Sequence, residues 1–382
     1  LDPARLRELV ARRNRRPFPR DPLASALSSA LAPFAPPPEV RAALSDLRDE
    51  KCFAVVTGQQ PGLAGGPLYL FWKTLTALRL TREIRSLLPE YRFVTFFWNA
   101  SDDHHPRNFG ELFWPGDDFR WNVSRPFGDE PSSSPAYARL LPELKEWLPP
   151  EMTTESALDG AGRPRLQAWR DYFRALQGED AGSAFTRLWL KLFGSRGLLV
   201  VEPRWLRPLS GEIYAAELSD PGASASLLQQ ARERQAQTGR EPVALGQEPP
   251  LLYYHEGKER LRLLSLNQDF ALRGRALRFT REELLARPER ISPAAALRPV
   301  VEAALLPILF SVPGPHELAY LSLTDPLFPR FGLEPPALFP RWHATLAENK
   351  VTRALERLGW SPATALARPW PELTAAPLAA LA

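Results

Sequence analysis

Residues 55–67 read Val-Val-Thr-Gly-Gln-Gln-Pro-Gly-Leu-Ala-Gly-Gly-Pro, an apolar run that leads into a loop with four glycines and two adjacent glutamines. Pro67 suits the first turn of a helix, where its missing N–H leaves no hydrogen bond unmade. Glycines let backbone N–H groups approach a ligand closely, and a helix N-terminus adds unpaired donors and partial positive charge. The order strand, turn, helix therefore predicts a loop that holds an anionic or strongly polar ligand.

The segments around this loop predict a βαβ unit. Phe53–Val56 has the pattern of a strand, and residues 68–88 show helical periodicity that ends at Pro89. Phe93–Trp98 is almost wholly apolar, as expected for a strand that is buried on both faces of a parallel sheet. The fold class predicted from this unit is α/β.

Composition and pattern divide the rest of the chain into segments. Further on we predict a strand at Gly197–Val201, a helix over 221–240, a hairpin of Leu251–Tyr254 with Leu261–Leu266, and a last strand at Pro336–Pro340. The predicted organisation is an N-terminal helical segment (1–50), the first βαβ unit (51–110), a connector insertion (111–190), core (191–220), a second connector insertion (221–290), the C-terminal half of the core (291–360) and a short tail (361–382).

The composition is that of an ordinary globular protein, with 44% hydrophobic and 24% charged residues in 382. No apolar run approaches the ~18 to 20 residues of a membrane span, and no signal peptide opens the sequence, so we predict a cytoplasmic protein without a membrane partner. The net charge of +4 is mild and its basic residues are spread along the chain, which argues against a nucleic-acid partner. The single cysteine, Cys52, excludes an intrachain disulfide, and we expect a buried structural thiol.

A second polar cluster follows the second predicted strand, where the chain reads Asn-Ala-Ser-Asp-Asp-His-His-Pro over residues 99–106. Ligands of open parallel sheets bind beyond the carboxyl ends of the strands, so this cluster and the glycine-rich loop should meet at one edge. Acid–base chemistry or substrate contact is the first interpretation, because a histidine beside carboxylates can titrate near neutrality. A helix N-cap at Ser101 or Asp102 is the second, and a metal site the third.

The glycine-rich loop matches neither common phosphate-binding motif. It lacks Gly-Lys-Ser/Thr, and Lys73 lies inside the following helix. Gln59 and Gln60 offer amide donors and acceptors that suit hydroxyl-rich or amide-bearing ligands, although a tight turn with solvated glutamines is the alternative. Lys73 could reach a phosphate or carboxylate, or could be exposed, and the sequence leaves both open.

Three downstream patches carry further candidates. Arg298 lies beside an apolar run, His316 and Glu317 follow a Gly-Pro turn, and Arg341 follows the last predicted strand. A guanidinium in such a place can bind an anion. Each patch alone is more often structural than functional.

These motifs, taken in order, resemble the bacillithiol biosynthesis cysteine-adding enzyme family over roughly residues 50 to 360. The matching residues are Thr57–Pro67 with Lys73, then Phe97-Trp98-x-Ala-Ser-Asp-Asp-His, Gly257-Lys258, Ser292-Pro293 with Leu297-Arg298-Pro299, Gly314-Pro315-x-Glu317-Leu318-Ala319-Tyr320, and Pro340-Arg341. The resemblance implies a doubly wound, mostly parallel Rossmann-like core with connector insertions, related to nucleotidyltransferases and class I synthetases. The implied reaction is the addition of L-cysteine to glucosaminyl-malate through an amide bond; the cofactor is left open, with ATP as a candidate.

Pattern and resemblance together define the candidate site. The candidate catalytic residues are Asp102, Asp103 and His104, and no metal ligand is proposed. The candidate substrate-binding residues are Gly58, Gln59, Gln60, Gly62, Gly65, Gly66, Lys73, Asn99, Ser101, Arg298, His316, Glu317, Tyr320 and Arg341. In this hypothesis the loop holds a phosphate or carboxylate and His104 manages the amine proton, while Lys73 and Arg298 supply positive charge.

The sequence departs from the family pattern at several points. The family's Glu-Asp-His-Asp is here Asp102-Asp103-His104-His105, and the usual Asn after Ser-Pro is Ala294. No heptad pattern follows the core before Ala382, so we expect the family's C-terminal coiled coil to be absent or truncated and do not expect a homodimer of the family type. The rival functions are nucleotidyl or adenylyl transfer to another acceptor and non-catalytic binding of a small molecule or nucleotide.

Overall fold

A computed structural model describes residues 1–102, 111–113, 120–122, 171–172, 180–239, 248–257, 259–267, 269–347 and 349–367. The chain divides into two compact units, Leu1–Arg341 and Trp342–Ala382. The described part of the second unit contains two short helices. Within the described residues, no helix combines the length and the apolar character needed to cross a membrane.

The strands form two sheets and one short ribbon. They are β1 Cys52–Gln59, β2 Arg92–Asn99, β3 Glu111–Phe113, β4 Arg120–Asn122, β5 Leu198–Val201, β6 Leu252–Glu256, β7 Glu259–Leu266, β8 Asp269–Leu272, β9 Arg278–Phe279, β10 Ile291–Pro293, β11 Ile308–Ser311 and β12 Ala337–Leu338.

Fourteen α-helices lie within the described residues. They are α1 Pro3–Arg13, α2 Arg20–Leu31, α3 Pro38–Asp46, α4 Tyr69–Leu87, α5 Ala181–Phe193, α6 Pro203–Leu206, α7 Gly211–Ser219, α8 Pro221–Gln237, α9 Arg281–Leu285, α10 Arg298–Leu305, α11 Pro315–Thr324, α12 Leu327–Arg330, α13 Asn349–Arg357 and α14 Pro362–Ala367.

The core sheet is parallel throughout, in the order β12-β11-β1-β2-β5. β2 and β5 lie on one side of β1, and β11 and β12 lie on the other. This arrangement is the Rossmann-like order, and its change of direction lies between β1 and β11. The prediction of an α/β, Rossmann-like fold is confirmed.

Alternate side chains of β1 enter two hydrophobic clusters on opposite faces of the sheet. Cys52, Ala54 and Val56 belong to one cluster, and Phe53 and Val55 belong to the other. Because successive strand residues point to opposite faces, a strand that is apolar at every position must be covered on both sides. Helices therefore cover both faces, as the predicted doubly wound sheet requires.

The predicted βαβ unit is present with one correction. β1 pairs with β2 in parallel along its whole length, with Gly58 opposite Trp98. The helix between them begins at Tyr69 rather than at Pro67, because a single 3-10 turn at Leu63–Gly65 comes first. The loop therefore ends before the helix and does not run directly into its first turn.

The predicted hairpin belongs to a larger antiparallel sheet in the order β10-β6-β7-β8-β9. Tyr253 lies opposite Arg262, and His255 lies opposite Arg260. Ile291–Pro293, which we predicted as part of the core, pairs with β6 in this sheet. This strand has three residues, too few to show a hydrophobic pattern, so the sequence alone could not assign it to a sheet. The other segment boundaries stay predictions.

Candidate functional site

A cavity of about 60 Å³ lies at the carboxyl ends of β1 and β11, where the strand order changes direction. Its walls include Thr57, Gly58 and Gln59 at the end of β1 and Ser311, Val312 and Pro313 after β11. Arg298, Glu302, Glu317 and Tyr320 are among its polar lining residues. Polar residues at the ends of β1 and β11 and on α10 and α11 thus meet at this sheet edge, and we call this space the switch-point cavity.

Lys73 is buried next to Glu317, one of the residues that line this cavity. Its Nζ lies 2.6 Å from Glu317 Oε2 and also donates to the carbonyl of Gly58. Only 1% of the Lys73 side chain is exposed, and its burial lowers the pKa of the amine while Glu317 opposes that shift. Lys73 is therefore not exposed, and the carboxylate that it contacts belongs to the protein itself; its contact with a ligand stays a prediction.

The Glu317 carboxylate has a second partner at the start of α11. Its Oε2 accepts a hydrogen bond of 2.7 Å from the N–H of Gly314, the residue that precedes the helix. A glutamate at this position of a helix commonly reaches back in this way to satisfy a free backbone donor. His316, on the same first turn, is exposed and does not line the cavity.

Arg298 and Glu302 lie one turn apart on α10. Arg298 Nη2 donates to Tyr320 Oη at 2.9 Å, and Arg298 Nε lies 3.4 Å from Glu302 Oε1. Burial raises the pKa of Glu302 to about 7 against the opposing charge of Arg298, and burial also raises the pKa of Tyr320. A carboxyl group that titrates near neutrality can exchange a proton with a ligand in the cavity. Its sequence context carries no motif, so sequence reasoning missed Glu302.

The residues of the glycine-rich loop have different surroundings. Gly58 and Gln59 line the cavity, and Gln59 Nε2 donates to Tyr69 Oη at 2.8 Å. A Cβ at Gly58 would lie 2.6 Å from the carbonyl oxygen of Trp98, so the neighbouring strand requires glycine there. Gly65 and Gly66 have positive φ of 90° and 71°.

The loop is also tied to its surroundings at Gly62. This residue offers its carbonyl oxygen to Tyr172 Oη at 3.3 Å. Gln60 is half-buried. Ligand binding by Gln60, Gly62, Gly65 and Gly66 stays a prediction.

The polar residues after β2 take partners inside the protein. Asn99 Nδ2 donates to Gly182 O and Thr186 Oγ1 at 2.9 and 3.0 Å, and Ser101 Oγ donates to Glu202 Oε2 at 3.1 Å. Both side chains are fully buried and line neither cavity described in this section. The donors of Asn99 and Ser101 are thus taken by α5 and by Glu202, and their predicted contact with substrate stays a prediction.

The Asp102 side chain contacts Arg207, the residue that follows α6. Both carboxylate oxygens contact that guanidinium. Burial alone would raise the pKa of Asp102, yet Arg207, helped by His255 and Arg260, holds it below its ordinary value. Asp102 therefore stays ionised, and its carboxylate accepts from an arginine. Asp103 and His104 lie outside the described residues.

A second cavity of about 90 Å³, which we call the inter-sheet recess, lies between the core sheet and the antiparallel sheet. Its lining is Trp98, Ala100, Asp102, Pro203, Tyr253, Arg260, Pro293, Ala295 and Arg298. Trp98, Ala100 and Arg298 also line the switch-point cavity, so the two spaces share a wall. Within the described residues, no group of His, Cys, Asp and Glu has the composition and geometry of a metal site.

His255 is half-buried beside this recess. One ring nitrogen, Nε2, lies 2.8 Å from Ser292 Oγ, which also accepts from Arg260 Nε at 3.0 Å. Burial and then the charge of Arg207 lower the pKa of His255 to about 3, so its ring is neutral at pH 7. Sequence reasoning placed His255 in a hairpin and missed its contacts with the site, since only the fold brings that hairpin to β2.

Arg341 lies next to Gly314, the residue before α11. Its guanidinium lies 5.5 Å from the centre of the Tyr69 ring, and its backbone N–H donates to Pro313 O at 3.0 Å. The structure thus brings Arg341 beside the first turn of α11, while Lys73, Arg298, Glu317 and Tyr320 meet at the switch-point cavity. These cationic groups suit a carboxylate or phosphate.

Comparison with known proteins gives a consistent result. The family described as "Bacillithiol biosynthesis BshC, N-terminal Rossmann-like domain" matches residues 3–342. A protein of Thermus thermophilus named "Putative cysteine ligase BshC" is 33% identical over 373 residues, which cover 93% of this chain and 69% of the relative.

Proteins of the same name from other bacteria agree. Those of Prosthecochloris aestuarii and Carboxydothermus hydrogenoformans are 29% and 30% identical, over 82% and 81% of this chain. The chain spans 57% and 58% of the length of these two relatives. With a family match that covers nearly the whole described core, a parallel sheet in Rossmann-like order and the predicted motifs at its switch point, the chain belongs to the BshC family of bacillithiol biosynthesis, and residues 3–342 correspond to that family's N-terminal Rossmann-like domain.

Proposed function

We propose that this protein is a cysteine ligase that joins L-cysteine to glucosaminyl-malate in the last step of bacillithiol biosynthesis. The observation that carries the proposal is the family match over residues 3–342, together with relatives named as cysteine ligases. The position of a polar cavity at the switch point of the sheet supports it, because substrates of open α/β sheets bind there.

The reaction condenses the carboxylate of cysteine with the ammonium group of the amino sugar, giving an amide and one water. Three things are needed: an activated carboxyl group, an amine that has lost its proton, and groups that stabilise developing negative charge. Where a nucleoside triphosphate activates the carboxylate, with ATP as the candidate, a phosphoanhydride bond is broken and the departing oxygen leaves on the transferred phosphoryl or nucleotidyl group instead of as water.

Described residues of the switch-point cavity can supply two of these needs. Glu302, with a pKa near 7, can accept a proton from the amine. Arg298 supplies positive charge on the same wall, and Lys73 supplies it next to Glu317. His104, oriented by Asp102 or Asp103, stays a second predicted proton acceptor. His104 and Asp103 lie outside the described residues, and Arg207 holds the pKa of Asp102 below its ordinary value.

Incubation of the purified chain with L-cysteine and glucosaminyl-malate, with and without ATP, tests the proposal. We expect a cysteine-dependent product with the mass of the amide, detected by mass spectrometry after thiol labelling. No product under any of these conditions, with intact and folded protein, would reject the proposed activity for this chain. Exchange of pyrophosphate into ATP with an amino acid other than cysteine would instead support the rival transferase function.

The roles of the two proton acceptors are separable by mutation. Glu302→Gln and the double variant Asp103→Ala, His104→Ala each remove one candidate, and the one that matters should lower kcat more than it changes KM. Full activity in the double variant would remove Asp103 and His104 from the mechanism. Cytoplasmic location stays a prediction.

A further inference from the structure

The inter-sheet recess contains a buried arginine whose orientation is fixed by a hydroxyl, a carbonyl and an aromatic ring. Arg260 Nε donates to Ser292 Oγ at 3.0 Å and Nη2 donates to Pro293 O at 2.8 Å. Its guanidinium carbon lies 4.0 Å from the centre of the Tyr253 ring, and 7% of the residue is exposed. A guanidinium held in this way is preorganised on the wall of the recess.

The pKa values of two titratable neighbours respond to the arginine charges of this region. Burial lowers the pKa of His255, and the charges of Arg207 and Arg260 lower it further, while Asp102 opposes the shift. The pKa of Asp102 lies below its ordinary value in spite of burial, because Arg207 is in contact and His255 and Arg260 are near. The arginine charges act in the same direction on both groups, and a positive potential of this kind favours an anion.

We propose that the inter-sheet recess binds a carboxylate of the malyl half of glucosaminyl-malate, with Arg260 as the residue that recognises it. The proposal rests on the proposed function for the identity of the ligand. A guanidinium gives charge-assisted hydrogen bonds to a carboxylate. The ionised Asp102 on the same wall accepts hydrogen bonds from sugar hydroxyls and disfavours inorganic phosphate, whose negative charge is concentrated on one group.

The wall shared by the two cavities explains how one substrate would use both. Trp98, Ala100 and Arg298 line the recess and the switch-point cavity alike. A molecule whose malyl half occupies the recess extends along Arg298 into the cavity that holds Glu302. The recess thus selects the amine substrate, and the switch-point cavity is left for the chemistry.

Calorimetric titration with L-malate tests the recess directly, because this probe carries the recognised group alone. We expect Arg260→Gln to weaken malate binding roughly tenfold or more, as the loss of a charge-assisted contact predicts. Arg262→Gln is the matched control: Arg262 lies on the same strand, 5.1 Å from the same Tyr253 ring, yet does not line the recess. It should bind malate as the unmodified protein does.

A second variant keeps the test decisive if Arg260→Gln does not fold. Ala295 lines the recess and is exposed, so Ala295→Phe narrows the recess without removing a buried contact, and it should weaken malate binding as well. Equal malate affinity in the unmodified protein, Arg260→Gln and Ala295→Phe would overturn the proposal. Tighter binding of inorganic phosphate than of malate, lost in the same variants, would also overturn it.

Kinetics distinguish this proposal from the proposed function. If the chain forms the amide and Arg260→Gln leaves the KM for glucosaminyl-malate unchanged, the recess assignment fails and the activity stands. If malate binds through Arg260 and no amide forms, the recess assignment stands and the activity fails. With both correct, Arg260→Gln raises the KM for glucosaminyl-malate and leaves that for cysteine unchanged.

Discussion

Lys73 and Glu317 form an ion pair across 244 positions of sequence, with 2.6 Å between Nζ and Oε2. Lys73 also donates to Gly58 O at the end of β1, and Glu317 also accepts from the N–H of Gly314 before α11. The pair thereby joins both sides of the switch-point cavity. A ligand at this place meets a wall whose shape depends on one buried ammonium group.

Replacing Glu317 by alanine should destabilise the protein, because Lys73 would keep a buried charge without its carboxylate. We expect a loss of about 2 kcal/mol in the free energy of unfolding, below the value for a fully buried pair since Glu317 is partly exposed. Urea denaturation measures it. Glu83→Ala breaks the exposed Arg79–Glu83 pair on α4 and should change stability by less than about 0.5 kcal/mol. Equal effects of the two variants would contradict the prediction.

Stability should fall as pH rises through the range set by Glu302. Its pKa is raised by burial to about 7 in the folded protein from an ordinary value of 4.5, so the folded state retains a proton that the unfolded state has released. The stability that protonated Glu302 contributes is fully present below its unfolded pKa of 4.5, and it is lost as pH rises to its folded pKa of about 7.

Glu302→Gln should therefore reduce the loss of unfolding free energy between about pH 5 and pH 8, by on the order of 2 kcal/mol. Urea denaturation at both pH values gives the difference. Glu282→Gln, at an exposed position of α9, is the control and should leave the difference as it is in the unmodified protein. An unchanged pH dependence in Glu302→Gln would show that Glu302 titrates in its ordinary range.

Gly58→Ala should disturb the sheet at the edge of the cavity. The new Cβ would lie 2.6 Å from Trp98 O and 2.7 Å from Trp98 Cβ, so β1 and β2 must separate, at a cost of roughly 2 kcal/mol. Gly211→Ala, in open space at the start of α7, should be neutral or stabilising by up to about 1 kcal/mol. Thermal unfolding of both variants provides the comparison, and a Gly58→Ala protein as stable as Gly211→Ala would refute the steric account.

Cys52 should not react with thiol reagents in the folded protein. The structure buries it completely, as the sequence predicted, and burial raises the pKa of its thiol to about 12. Reaction requires a thiolate, so we expect no colour with Ellman's reagent in native buffer and one thiol per chain in guanidinium chloride. Rapid labelling of the native protein would mean that β1 opens on the timescale of the reaction.

The elements that sequence predicted well are those with a repeating pattern of their own. Phe93–Trp98 could only be a strand buried on both faces, and the helix before it has apolar residues at helical spacing. The strand Ile291–Pro293 was not predicted, because three residues are too few to show a repeating pattern. Its pairing with β6, where Ser292 lies opposite Tyr253, depends on the tertiary structure. The 3-10 turn at Leu63–Gly65 was not predicted, because the glycines and Pro67 around it are also typical of the start of a helix. The helix α4 begins two residues after Pro67.

The candidate site was predictable in position more than in detail. Lys73, Arg298, Glu317 and Tyr320 meet at the predicted sheet edge. Asn99 and Ser101 had the right chemistry, yet packing directs them to Gly182 and Glu202. Four residues were missed. Glu302 lies one turn from Arg298, but its burial and raised pKa arise only when α10 packs against the core. Arg207, His255 and Arg260 acquire their partners only when the segment after α6 or the antiparallel sheet packs against the core.

By itself the sequence determined the Rossmann-like class, the family and the sheet edge at which polar residues gather, because hydrophobic periodicity and strand ends are local properties of the chain. Only the tertiary structure decided which charges face one another: Lys73 with Glu317, Asp102 with Arg207, and Arg260 in a recess between two sheets. The physical reason is that a charge acquires its partner, its burial and its pKa from residues far away in sequence, and these meet only when the sheets pack.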